Sequence, residues 1–205
     1  MKIISHVALA AVLASGAVGL TLSAPAAAQK KDKKEAGLKL SPDVAKSAQP
    51  AQAALQAKDA ATAEPLVAAV EAAAKTDDDR YIASVLRLQL AQVKINAAQQ
   101  ANPNARADSS GLVAPLDALI ANPKTPPADR ARFYYIRGQM AYEGKQYPVA
   151  VDYINKAREL GHTDPQMTLF LTRAKIDSGD VAGGTAELDK AIAEKAAKGE
   201  KAPED

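Results

Sequence analysis

Three small residues recur at a fixed interval in the C-terminal half, and this recurrence limits the possible folds more than any other feature of the chain. Gly138, Ala150 and Ala157 are answered by Thr172, Gly184 and Ala191, with offsets 172−138, 184−150 and 191−157 of 34 each. A period of that length fits a helix, a turn and a second helix, repeated. Gly138 and Ala150 would face each other within one helix pair, and Thr172 and Gly184 within the next. Small side chains there let the two helix axes approach. Gly183-Gly184 does not read as a phosphate loop, because it lacks the GxGxxG spacing and no strand pattern precedes it. A glycine inside a helix costs about 1 kcal/mol relative to alanine, and close helix contact is the better reason for it.

The rest of the chain has helical punctuation and no strand pattern. Ser41-Pro42-Asp43 reads as a helix start, with a capping hydroxyl, proline in the first turn and an acid facing the dipole. That helix should run towards Lys58, with Pro50 breaking or kinking it. A second should run from Asp59 to Lys75, with Pro65 tolerable only near its start. Thr76-Asp77-Asp78-Asp79 invites a calcium reading. Without a glycine turn or a distal glutamate, helix capping and dipole matching account better for these acids. From Arg80 to Gln100, apolar residues cover more than half the helix circumference, which predicts burial between neighbours. A polar loop around 102–110 leads to a short helix over 112–121. Four further helices follow, starting near Pro127, Tyr147, Asp164 and Val181. Gly144-Lys145-Gln146 and Gly179-Asp180 form turns, Gly161 ends a helix, and Leu188 and Ile192 face inward on the last one. The expected fold class is all-α, with eight helices in four antiparallel pairs.

The first 28 residues read as a cleavable signal peptide. Lys2 gives the positive start, 7–22 is apolar, and Ala26-Ala27-Ala28 offers small residues for a cut before Gln29. Export to the periplasm follows as an expectation. Residues 29–40 form a charged tail whose Lys30, Lys31, Lys33 and Lys34 read as a solvated spacer. The alternative is weak contact of that tail with an anionic envelope surface. Removing Lys2 with the leader leaves 25 basic against 24 acidic residues, a balance that offers no nucleic-acid surface. There is no cysteine, hence no disulfide and no lipoprotein anchor. With tryptophan absent and aromatics at 4%, small aliphatic contacts between helices must hold the core.

The paired segments resemble the tetratricopeptide repeat family. Its pattern is matched in the first unit by Tyr134, Gly138, Tyr147, Ala150, Ala157 and Leu160. In the second it is matched by Leu171, Gly179-Asp180, Leu188 and Ala191. The second unit departs from the pattern in lacking an initial aromatic and in having Lys175 where a large residue is common. The resemblance implies a TPR-like α-solenoid over 41–197, best expressed in 131–164 and 165–197, followed by a tail over 198–205. It also implies a peptide groove on the first helix of each pair. The matching positions are Arg132, Tyr135, Gln139, Tyr142 and Glu143, then Gln166, Leu169, Phe170, Arg173, Ile176 and Asp177. Tyr135, Gln139 and Tyr142 are spaced four and three apart and so share a helix face. Packing against the adjoining pair is an equally good account of Tyr142 and Phe170. The family's lysine and asparagine clamp for C-terminal carboxylates is absent at these positions.

Enzyme signatures are missing. His162 reads as a turn residue, and no metal motif, Walker sequence, nucleophile elbow or cysteine nucleophile occurs. Neither cofactor nor metal is expected. The reading is a non-catalytic envelope scaffold that binds a protein or peptide. The alternative is a truncated structural array supporting another membrane or catalytic part. Ala202-Pro203-Glu204-Asp205 resembles the opening of a further helix, so the array is expected to be open-ended, without the capping helix that solenoids need.

Overall fold

A computed structural model describes residues 38–104 and 108–197, apart from the side chain of Lys195. The signal peptide, the charged tail to residue 37 and the segment 198–205 lie outside the described residues. The chain is all-α, and strands are absent among the described residues. Among the described residues eight α-helices follow one another: α1 (Pro42–Gln56), α2 (Ala60–Ala73), α3 (Asp77–Ala101), α4 (Val113–Ala121), α5 (Pro127–Glu143), α6 (Tyr147–Glu159), α7 (Met167–Asp177) and α8 (Val181–Ala197), with a 3₁₀ turn at Ser110–Leu112 before α4. They form two compact units, one ending at Lys124 and the other beginning at Thr125. No described helix is long and apolar enough to cross a membrane.

In the first unit, α1 and α2 pack against each other and both touch α3. Val44, Ala48, Ala51 and Leu55 stand four, three and four apart and form the buried stripe of α1; Ala63, Val67 and Val70 do the same for α2. On α3 the buried residues run from Asp78 to Ala91 around much of the circumference, as the apolar pattern predicts. Leu112, Leu116 and Leu119 add the fourth side of this core. Arg87 of α3 ties down α2 by pairing with both Glu64 and Glu71.

Pro50 and Pro65 do not break their helices: both lie inside them, and Pro65 is the sixth residue of α2. Both side chains are exposed. On a solvated face, water can bond the carbonyl that loses its amide partner, which lowers the cost of the missing N–H. The start of α1 also differs from expectation, because the Ser41 side chain does not cap its own helix. Its hydroxyl donates instead to Asp79 at 2.6 Å.

The second unit consists of two helix hairpins, α5–α6 and α7–α8, with α7 also packed on α6. Gly138 faces α6: a Cβ at this position would lie 2.7 Å from Ile154 Cγ1 and 3.4 Å from the Ala150 carbonyl oxygen. Gly184 faces α7 in the same way, with Ile176 Cγ1 at 2.6 Å and the Thr172 carbonyl oxygen at 3.0 Å. Gly138 therefore approaches the backbone of Ala150, and Gly184 that of Thr172, the pairing the interval implies. The missing side chain belongs to the first helix of one hairpin and to the second helix of the other. Turns repeat in the same register. Lys145 and Gly179, 34 apart, both have positive φ (60° and 96°). Each is followed by a residue whose N–H reaches back into the preceding helix: Gln146 to the Ala141 oxygen at 2.8 Å, and Asp180 to the Lys175 oxygen at 2.9 Å. Gly161 closes α6 by the same device, with φ at 82°.

One boundary and one buried face differ from the sequence expectation. Helix α7 begins at Met167, not at Asp164. The Asp164 carboxylate instead accepts the Gln166 N–H at 2.7 Å and holds a turn ahead of the helix. Leu188 and Ile192 do not point inward; they are 42% and 50% exposed. Their helix packs mainly on α7, and among the described residues no further helix covers its other side.

Candidate functional site

The groove candidates lie on α5 and α7 of the second unit, and the structure sorts them into three groups. Tyr142, Phe170, Arg173 and Asp177 come together. Phe170, Arg173 and Asp177 are spaced three and four apart and so share one face of α7. The Tyr142 ring lies 4.9 Å from Phe170 and 5.3 Å from Tyr147. Its hydroxyl donates to the Asp177 carboxylate at 2.6 Å. Burial first, and then the Asp177 carboxylate, push the Tyr142 hydroxyl up to about 12, while the Arg173 charge opposes them. The phenol is therefore a hydrogen-bond donor at physiological pH, not a proton carrier.

Tyr135 and Gln139 lie beneath this cluster. Tyr135 is only 2% exposed and belongs to the core with Ala141, Ile154, Met167 and Leu171. It cannot meet a ligand without unfolding its surroundings, so its place in the peptide groove is corrected to a packing role. The four-and-three spacing identified the shared face but not how deeply α7 would cover it. Phe170 meets Tyr135 edge-on at 6.3 Å, and the His162 ring lies 4.8 Å away on another side. Burial raises the Tyr135 hydroxyl well above the usual phenol range, and the nearby Asp164 carboxylate adds to this. Gln139 is half-buried.

The remaining candidates stand apart. Arg132 lies over the Phe133 ring at 5.5 Å, and its guanidinium is 3.6 Å from Asp129. Glu143 and Gln166 are exposed. Leu169 and Ile176, seven apart, share a neighbouring face of α7, and Ile176 leans on Gly184 rather than on Tyr142.

His162 follows the left-handed Gly161, and its N–H bonds the Ala157 oxygen at 2.9 Å. Burial lowers the affinity of its imidazole for a proton, with Asp164 opposing and Arg132 reinforcing that effect. The ring is thus held neutral against Tyr135 rather than charged against the helix end.

Two polar clusters escaped the sequence pattern. Glu187 of α8 is held by Arg158 of α6 at 2.8 Å and by Lys175 of α7 at 2.9 Å. Burial would raise its carboxyl, but the two cations hold it below the usual range. This explains the lysine at a position where the repeat pattern favours a large residue. The aliphatic stem of Lys175 fills the space and its ammonium pairs across the hairpin.

The second cluster is in the first unit. Thr76 and Asp79 form a complete capping box at the head of α3. Asp79 then does more than a cap. Fully buried, it accepts the Ser41 N–H at 2.8 Å, the Ser41 hydroxyl at 2.6 Å and the Thr76 N–H at 3.0 Å. Burial would raise its carboxyl, but these donors hold it well below the usual carboxylate range. Asp78 accepts the Lys39 N–H at 2.9 Å and pairs with Lys124 at 2.9 Å. Asp78 and Asp79 thus fasten the extended lead-in of α1 to the head of α3, while Asp77 pairs with Arg80 of its own helix. A signal was available in the run itself, since dipole matching does not require three consecutive acids, but the distant partner could not be read from it. Among the described residues no group of three or more His, Asp or Glu is placed to hold a metal ion.

Comparison with models of known families, with curated proteins and with solved structures gave no match.

Proposed function

We propose that the chain is an exported, non-catalytic scaffold whose helices form a TPR-like solenoid and hold a protein or peptide partner in the periplasm. The observation that carries this reading is the 34-residue register realised in backbone approach, Gly138 against Ala150 and Thr172 against Gly184. Repetition at this interval builds extended surfaces suited to polypeptide ligands. The surface best suited to a peptide is the cluster of Tyr142, Phe170, Arg173 and Asp177, which joins aromatic area to a cation and a carboxylate.

A photoreactive amino acid placed at Arg173 tests the reading in cells, with the exposed Asp152 on α6 as the control position. Cross-links to a discrete envelope protein from position 173, and none from 152, are the expected result. Equal labelling from both positions would refute the groove. Sequencing the N-terminus of the mature protein tests export separately, with Gln29 as the expected first residue. A second reading, an array that supports another membrane or catalytic part, is favoured by one feature, the apolar surface left on α7 and α8.

A further inference from the structure

Five large apolar residues are exposed on the last hairpin, Ile192 and four others whose counterparts are apolar or aromatic: Leu169 (48%), Ile176 (41%), Val181 (57%) and Leu188 (42%). Subtracting 34 from these four numbers gives Tyr135, Tyr142, Tyr147 and Ile154. These counterparts in the first hairpin are covered. Tyr135 and Ile154 are buried, and Tyr142 and Tyr147 half-buried. Helix α7 covers Tyr135 and Tyr142 and shares a core with Ile154, while Tyr147 lies against the Tyr142 ring. Phe170 packs on Tyr135 and Tyr142, Asp177 accepts the Tyr142 hydroxyl, and Met167, Leu171 and Ala174 enter the cluster that holds Ile154. The second unit therefore contains one completed example of how this side of a hairpin is closed. The closing element is an amphipathic helix with apolar residues at 167, 170, 171 and 174.

The equivalence is structural as well as numerical, because the two hairpins pack through the same positions, 138 with 150 and 172 with 184. The exposed face of α7–α8 is thus a copy of an interface already formed within the molecule. We propose that this face docks an amphipathic helix of another polypeptide carrying the apolar pattern of α7.

The substitutions between the two hairpins define what that helix should look like. Three tyrosines on the first hairpin become Leu169, Ile176 and Val181 on the second. No hydroxyl stands at position 176 to receive a carboxylate, so the incoming helix should carry an apolar residue where α7 has Asp177. Arg158 is replaced by Ile192, itself 50% exposed, which extends the apolar face along α8. A second copy of this chain fits less well. Its own α7 is already committed to α5–α6, and two α7–α8 faces meeting would insert no helix into either. The proposal does not depend on the peptide groove, which is built on Tyr142 and Asp177; Arg173, four residues from Leu169 and three from Ile176, borders both surfaces.

The probe is a fluorescein-labelled synthetic peptide with the sequence of residues 166–178, titrated onto the full chain and read by anisotropy. A lactam-bridged version removes the cost of ordering so short a helix in water. Saturable binding is expected. It should weaken about tenfold or more in Leu188→Glu with Ile192→Glu, exposed sites where circular dichroism should show the helices intact. A peptide with leucine in place of Asp177 should bind more tightly. Tyr142→Phe, which removes the groove's bond to Asp177 from the α5 side and leaves the α7–α8 face unaltered, should not change binding of either peptide, so the two proposals can fail separately. Absence of binding by both the linear and the bridged peptide would overturn the proposal, and so would binding indifferent to the double variant. Sedimentation provides a third check. A wild-type dimer that Leu188→Glu converts to a monomer would mean that a second copy closes the face, which also overturns it.

Discussion

Adding one methyl group at Gly138 should produce a sign reversal that only the proposed hairpin packing predicts. In an open helix, Gly→Ala is stabilising by about 1 kcal/mol. At Gly138 the new Cβ would lie 2.7 Å from Ile154 Cγ1, well inside van der Waals contact. Ile154 is fully buried and cannot swing into solvent, so α6 itself must move. Overpacking of this kind costs about 1–3 kcal/mol, which cancels or exceeds the propensity gain. The net expectation for Gly138→Ala is a loss of roughly 0–2 kcal/mol. Ile154→Ala removes the obstructing carbon. In that background, Gly138→Ala should become stabilising by up to about 1 kcal/mol, giving a coupling energy of roughly 1–3 kcal/mol. Urea unfolding followed by tyrosine fluorescence is the suitable assay, because Tyr134, Tyr135, Tyr142, Tyr147 and Tyr153 all lie in the second unit and only Tyr81 in the first. Gly184→Ala provides a graded comparison. Its obstacle, Ile176, is 41% exposed and can turn outward, leaving only the Thr172 oxygen at 3.0 Å, so the loss should be smaller than at Gly138. Stabilisation by Gly138→Ala in the wild-type background, or a coupling energy near zero, would refute the reasoning.

Three further outcomes are expected. Asp79→Ala should destabilise the first unit by roughly 3 kcal/mol or more, because Ser41 and Thr76 lose charged acceptors inside the core; thermal unfolding measures this. The Asp79 carboxyl is depressed in the folded state, so its contribution should be intact above the ordinary aspartate value of about 4 and decline as pH falls below it, a decline that acid titration of the Asp79→Asn variant should lack. His162 is also depressed, but as a base. Its neutral form suits the fold, so its contribution is full above pH 6.5 and shrinks as pH falls through the lowered folded value, and the imidazole should titrate below 6.5 by proton NMR. Lys145→Gly should stabilise by about 0.5–1 kcal/mol, as seen in the urea midpoint, since lysine at φ 60° bears a steric cost that glycine lacks.

The two units were not equally legible. In the second, the interval of small residues foretold which backbones approach, because van der Waals contact between helices leaves a direct trace in residue size. The turns were only partly readable. Glycine marks the positive φ at Gly161 and Gly179, but at the first hairpin it stands at Gly144 while the left-handed residue is Lys145. The hydrogen bond from Gln146 to Ala141 sets that conformation and outweighs the side-chain preference. Depth of burial was least readable. Tyr135 and Tyr142 have the same residue type and a common helix face, yet one is core and the other half-buried. The difference comes from where Phe170 and His162 arrive, which is a tertiary property.

The misreading of Leu188 and Ile192 follows from the same limit and is informative. Their spacing on α8 is that of a buried stripe, and their counterparts 34 residues earlier are Ile154, buried, and Arg158, exposed. At position 188 periodicity records an interface that the first hairpin forms with α7 and that the second hairpin does not form among the described residues. At position 192 the apolar residue replaces an arginine, so it cannot be a relic of the repeat. Replacing an arginine by an isoleucine on an already uncovered face makes that face more costly to leave in water, by the apolar area it adds. That surplus, rather than the repeat itself, is the strongest reason to expect that the end of α7–α8 is an interface.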